Sequence, residues 1–255
     1  MIVVEQRSNI GTITLSNPEK RNRLTVSAMQ DMTRRLKELN SNPEVRVVVI
    51  TGAGDKAFCA GADLGEFKKS GIMYQRSQNE AYRGLCLALH GMQKPVLAKV
   101  NGIAVAGGMA LVTLSHLAIA SENAHFGTPE ISVGAFPNMV MASILRGITK
   151  KAAMKLILLG EMVDAEEALS MGLINAVVSK EMLDEAIMEI AAKLVAKSPS
   201  VLSLGLDSIR VSSDLPYPQA LEYLQEMATL IRSTEDCQEG AQAFLEKRDP
   251  RWIGL

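Results

Sequence analysis

The β-branched run Val45-Arg46-Val47-Val48-Val49-Ile50-Thr51 constrains the fold of this chain more than any other feature. It lacks the strict polar alternation of a strand with one wet face, so it reads as a strand covered on both sides. Helices supply that covering in parallel sheets. Strand-like runs recur at residues 96–100, 117–120 and 174–178, with helical patterns between them at 80–92 and 150–159. Strands alternating with helices imply parallel pairing through crossovers, an α/β class. The chain opens differently: residues 2–6 and 10–16 read as a hairpin turning at Ser8-Asn9, and 26–39 carry a helical stripe of Met29, Met32, Leu36 and Leu39.

Strand signals cease near residue 190, and everything from there to Lys247 is helical in pattern, broken at Pro199, Pro216 and Pro218. The expected organisation is a core over residues 1–190 and a helical region over 191–255. The apolar faces of that region (Leu202, Leu206, Ile209; Leu221, Leu224, Met227, Ile231) are too extensive for a thin appendage to bury alone. They are expected to pack on the core or on other subunits.

Composition narrows the function classes. With 27 basic and 28 acidic residues the formal net charge is −1, so no global field draws nucleic acid or an anionic membrane. Any anionic ligand must be gripped locally. Three separated cysteines (Cys59, Cys86, Cys237) make neither a disulfide framework nor a zinc motif, and the three histidines form no HxxxH pair, so no metal is expected. The first residues, Met1-Ile2-Val3-Val4-Glu5, do not read as a signal peptide. Residues 102–120 lack charge, but Gly107-Gly108, Thr113, Ser115 and His116 interrupt them and no basic flank follows the positive-inside rule. A buried turn and helix is expected there, and a cytoplasmic protein.

Three glycine-rich stretches are candidates for chemistry. Gly52-Ala53-Gly54-Asp55-Lys56-Ala57 matches a dinucleotide fingerprint, yet no long helix follows and no acidic residue closes a second strand about twenty residues on, as that fingerprint requires. Ala60-Gly61-Ala62-Asp63 is small enough for a ligand to approach the backbone. Asn101-Gly102-Ile103-Ala104-Val105-Ala106-Gly107-Gly108 follows a strand, placing Gly107 near a helix start, where unpaired N–H groups and a positive dipole end suit an oxyanion. Taken separately, each is more often a structural turn.

In order, FCAGADL, then KPVLAKVNGIAVAGG, AHFGTPEISVGAFP, LLGEMVDAEEALSMGLINAVV and the closing AFLEKRDPRW resemble the crotonase (enoyl-CoA hydratase/isomerase) family over essentially the whole chain. The resemblance implies a crotonase-like superhelix of ββα units with a helical C-terminal region, assembled as a homotrimer or a dimer of trimers. It implies an acyl-CoA thioester substrate, with coenzyme A as part of the substrate and no permanently bound cofactor. The shared chemistry is stabilisation of a thioester enolate by two peptide N–H groups, here those of Ala62 and Gly107. Such preorganised donors in a dry site are worth about 3–4 kcal/mol each. By the same resemblance Lys56 and the backbone of Ala60 lie near the adenine end of coenzyme A. Phe244 and Lys247 reach it from the C-terminal helix, often that of a neighbouring subunit.

Hydratases of the family hold a water between two glutamates. Here the second is Glu130, after Pro129, while the position of the first holds Ala110. One carboxylate suffices to move a proton within a substrate, as Δ3,Δ2-enoyl-CoA isomerases of the family do, provided a poorly solvated pocket raises its pKa. Phe126, Val133, Phe136 and Met139 are expected to build that pocket, with Asn138 free to hydrogen-bond substrate or water. His116, where relatives tend to have Asp, reads as a structural residue. The expected activity is isomerisation or hydration of an enoyl-CoA with Glu130 as the single acid–base group. The alternatives are a decarboxylase or C–C lyase of acyl-CoA, and a non-catalytic scaffold of the same fold. A serine hydrolase is disfavoured, because neither His116 nor His125 stands in a recognisable triad.

Overall fold

The computed structural model describes residues 1–62 and 71–254; Asp63 and Leu64 of the FCAGADL motif lie outside the described residues. The strand at the centre of the sequence reading is β3, Val47–Gly52, every residue of which is buried. Its side chains alternate between two cores: Val48 and Ile50 join the main apolar cluster, whereas Val47 and Val49 join a second cluster on the opposite face. That division is the period-two geometry of a strand sandwiched between layers.

Before it come the antiparallel strands β1 (Ile2–Arg7) and β2 (Ile10–Leu15), then helix α1 (Val26–Ser41). Ser8 and Asn9 both take positive φ, 50° and 66°, the left-handed pair that a tight two-residue hairpin turn requires. Thr25 caps α1 by accepting the Ala28 N–H, and Met29, Met32, Leu36 and Leu39 form its buried stripe. Helix α2 (Ile72–His90) packs beside it.

From β3 to β8 the chain lays strands alternately into two sheets, and β9 then adds to the same sheet as β8. Short β4 (Ala57–Cys59) is followed by β5 (Val96–Val100), β6 (Ile103–Val105), helix α3 (Met109–Thr113), β7 (Leu117–Ser121) and β8 (His125–Gly127). Helices α4 (Met141–Gly147) and α5 (Lys150–Met154), the two-residue β9 (Val163–Asp164), α6 (Ala165–Ser170) and β10 (Ala176–Val178) complete the spiral. Among the described residues the six-stranded sheet runs β1-β2-β3-β5-β7-β10 and the four-stranded sheet β4-β6-β8-β9. From β2 to β10 the larger sheet is parallel throughout. This two-sheet spiral is the superhelix of ββα units.

Residues 102–120 form β6, a turn, α3 and the start of β7, and among the described residues no helix is long and apolar enough to cross a membrane. Helix α7 (Leu183–Val195) crosses residue 190 and still belongs to the core, since Leu183, Ile187 and Ala191 cover the second face of the large sheet. Three helices follow: α8 (Pro199–Ser212), α9 (Tyr217–Ser233) and α10 (Glu235–Glu246). No residue of α9 is buried within the chain.

Candidate active site

The small sheet decides where the site sits. Strands β4, β6 and β8 are adjacent and parallel, and all three release the chain at their carboxyl ends. From β4 comes Ala60-Gly61-Ala62, from β6 the turn Ala106-Gly107-Gly108, and from β8 the turn Pro129–Val133 that carries Glu130. Segments far apart in sequence thus meet at one sheet edge, the usual place for a site in a parallel sheet.

Two asparagines hold the loop that leads from β3 into β4, ahead of the first segment. Asn22, buried and in the left-handed region at φ 55°, donates to the carbonyls of Ala53 (2.9 Å) and Ala57 (2.7 Å). Asn101 donates to the carbonyls of Gly52 (2.8 Å) and Gly54 (2.7 Å) and accepts the Gly52 N–H (3.2 Å). Leu24 N–H donates to the Gly61 carbonyl at 2.8 Å, in a bridge that pairs Leu24 with Ala62. Glycine is required at 61: its φ is +72°, and a Cβ there would lie 2.8 Å from both Ala106 Cβ and Gly107 N. A Cβ at Gly108 would likewise lie 2.3 Å from the Cys59 carbonyl oxygen. The two turns interlock through these missing side chains. Asn22 escapes a reading from sequence, because an asparagine between two arginines gives no sign of what it will hold; Asn101-Gly102 reads as a turn, without the clamp.

Gly107 is the second residue of its 3₁₀ turn, so its N–H has no partner within the turn. Ala106 before it takes φ 50°, uncommon for alanine and a strained way to aim the next peptide. Among the described residues no acceptor engages the N–H of Ala62 or Gly107. Both residues line one cavity of about 390 Å³, with Ala60 and Glu130. The Tyr82 hydroxyl, from α2, donates to the Gly107 carbonyl at 3.1 Å. Burial pushes the Tyr82 phenol well above its ordinary pKa, so it stays a neutral donor.

Glu130 is half-buried in the same cavity, and its Oε2 is buried without a hydrogen-bond partner. Burial raises its pKa above the ordinary 4.5, and a hydrogen bond from its own backbone N–H offsets only part of that shift. It is the one carboxylate among the described residues of the lining. Ala110 is 1% exposed and lies outside the lining. Val133, Phe136, Asn138 and Met139 line the cavity as expected. Phe126 does not: it is wholly buried in the core beneath, because β8 turns it toward the larger sheet's cluster. His116 is structural, its Nδ1 accepting the Val96 N–H at 2.9 Å while burial lowers its pKa.

Four of the residues picked from sequence (Ala60, Ala62, Gly107, Glu130) therefore gather in one cavity. Lys56, Phe244 and Lys247 lie outside its lining. Lys56 is exposed in the β3–β4 loop, beside Asp55, which pairs with Lys180 at 3.2 Å. Phe244 is 84% exposed on α10, and Lys247 closes that helix in a left-handed cap at φ 56°.

Comparison with known proteins agrees with this fold. The family model described as enoyl-CoA hydratase/isomerase matches residues 5–254. The (E)-benzylidenesuccinyl-CoA hydratase of Thauera aromatica is 34% identical, over 99% of this chain and 99% of its own. The 2,3-dehydroadipyl-CoA hydratase of Escherichia coli is 31% identical over 99% and 98%. Among solved structures, an enoyl-CoA hydratase from Bacillus anthracis superposes with a TM-score of 0.95 at 31% identity, covering 100% of this chain and 99% of that one. With the two-sheet spiral, the gathered turns and a match along its whole length, the chain belongs to the enoyl-CoA hydratase/isomerase family.

Proposed function

We propose that this acyl-CoA enzyme forms a thioester enolate, holds it on the Ala62 and Gly107 amides, and moves a proton with Glu130 alone. The observation that carries the reading is the lone carboxylate: among the described lining residues only Glu130 is acidic, its Oε2 has no partner, and Ala110 stands where a second glutamate would be. The favoured reaction is migration of a double bond. The Glu130 carboxylate takes a proton from C2 of a 3-enoyl thioester, and the C2–H electron pair enters a dienolate whose charge rests on the thioester oxygen. Two amide donors aimed at that oxygen lower the barrier by about 3–4 kcal/mol each. The new carboxylic acid then protonates C4, leaving the double bond between C2 and C3. A raised pKa suits both halves, because the group must take the proton and then return it.

Coenzyme A belongs to the substrate in this reading, with Lys56 and the Ala60 backbone near its adenine end and Phe244 and Lys247 contributed by a neighbouring copy. The hydratase names of the relatives favour a second reading, addition of water to a 2-enoyl thioester with Glu130 activating it. A panel of 3-enoyl-, 2-enoyl- and malonyl-type CoA esters separates isomerase, hydratase and decarboxylase. Glu130→Gln is expected to lower kcat at least about a hundredfold on the preferred ester. Turnover of every ester within tenfold of wild type would remove Glu130 from the chemistry.

A further inference from the structure

Gln78 is the anomaly of the cavity. It lies in the first half of α2, where residues 72–77, 79 and 80 are exposed, yet it is itself only 8% exposed. It heads the helix's buried stripe, Gln78, Ala81, Leu85, Leu89, a position whose periodicity calls for an apolar side chain. Its Nε2 is buried and has no hydrogen-bond partner, and the residue lines the same cavity as Glu130 and Gly107. A buried amide left unpaired is destabilising, and native proteins leave few such groups without a reason. Tyr82, one turn further along α2, has already committed its hydroxyl to the Gly107 carbonyl. Gln78 stands four residues earlier on α2, about 6 Å of helix rise before Tyr82, so its uncommitted amide is offset along the helix from the oxyanion turn that Tyr82 touches.

We infer that Gln78 is a specificity residue whose amide N–H donates to an oxygen on the acyl chain beyond the reacting carbons, so that the substrate is an oxygen-substituted acyl thioester rather than a plain hydrocarbon one. This rests on the cavity being the acyl-CoA site proposed above. An alkyl chain would bury the amide against methylenes, whereas a ketone or carboxylate oxygen accepts its hydrogen. Among the described lining residues no lysine or arginine offers a counter-charge, which favours the neutral ketone over the carboxylate.

The test compares three CoA esters of equal chain length: a plain enoyl chain, the same chain with a distal ketone, and the same chain ending in a carboxylate. Wild-type protein is expected to prefer an oxygenated ester by about tenfold or more in kcat/KM, mostly through KM. Gln78→Met, apolar and similar in length, should bring that ratio to within about twofold of unity. Preference for the ketone or for the carboxylate supports the inference equally and names the acceptor. No preference in wild type, or a preference that survives Gln78→Met, overturns it. Should Gln78→Met fail to fold, Gln78→Glu serves: it keeps the size, replaces the donor by an acceptor, and must also abolish the preference. Glu130→Gln on the same esters keeps the two readings apart, because a loss of turnover common to all three upholds the Glu130 mechanism whatever the Gln78 ratio shows.

Discussion

Glu130 links burial to chemistry through its pKa. Burial disfavours the carboxylate, so the native state keeps this proton to a higher pH than the unfolded chain does. Between the ordinary 4.5 and the raised value the folded protein therefore binds more protons, and the free energy of unfolding falls as pH rises through that window. Glu130→Gln removes the effect. Urea unfolding of both proteins is expected to show the variant gaining on wild type above the window and losing that advantage below it. The same shift places the acid limb of wild-type kcat/KM above 4.5 if Glu130 acts as the base. A limb at the ordinary glutamate value would mean that another group controls the rate.

At the scale of elements, three short parallel strands do more for the site than the long ones. Their carboxyl ends deliver the turns bearing Ala62, Gly107 and Glu130, and the turns fit together because Gly61 and Gly108 lack side chains. Gly61→Ala places a methyl 2.8 Å from both Ala106 Cβ and Gly107 N while demanding φ +72°. The two amide-bearing segments must then separate. We expect a stability loss of about 2–3 kcal/mol and a fall in kcat of at least about a hundredfold. Gly84→Ala is the contrasting substitution: a Cβ there meets nothing within 4 Å inside α2. It should gain about 0.5–1 kcal/mol with activity intact. Thermal unfolding and steady-state kinetics on the pair read both outcomes, and unchanged kcat in Gly61→Ala would refute the interlock.

For the molecule as a whole, the C-terminal helices leave apolar surface uncovered. Ile209 is 64% exposed, Phe244 84% and Leu245 75%, and α9 buries nothing within the chain. So large an apolar exposure favours association, and we propose that copies of the chain cover it as a trimer or dimer of trimers. Light scattering after size exclusion should then give a multiple of 27.5 kDa. Phe244→Asp should shift the protein toward the monomer and raise KM for the CoA ester, since Phe244 would no longer reach a neighbour's substrate. A wild-type monomer at micromolar concentration would rule this out.

The sequence by itself determined the layered α/β core, the opening hairpin, the helical end and the family. Those features rest on local periodicity and on turn residues whose preferred backbone angles hold in any context: the Val47–Ile50 run, the α1 stripe, Ser8-Asn9. It also marked Ala62, Gly107 and Glu130, through ordered motifs. It did not reveal strands β4, β6, β8 and β9, because two or three residues carry no readable period and such strands exist only by pairing with one another. Nor did it reveal that Asn22 clamps a loop more than thirty residues away, that Phe126 turns into the core, or that Gln78 is buried without a partner. Those outcomes depend on which distant segments come together, and only the tertiary fold decides whether a polar side chain meets a partner, a hydrophobic wall or an open cavity.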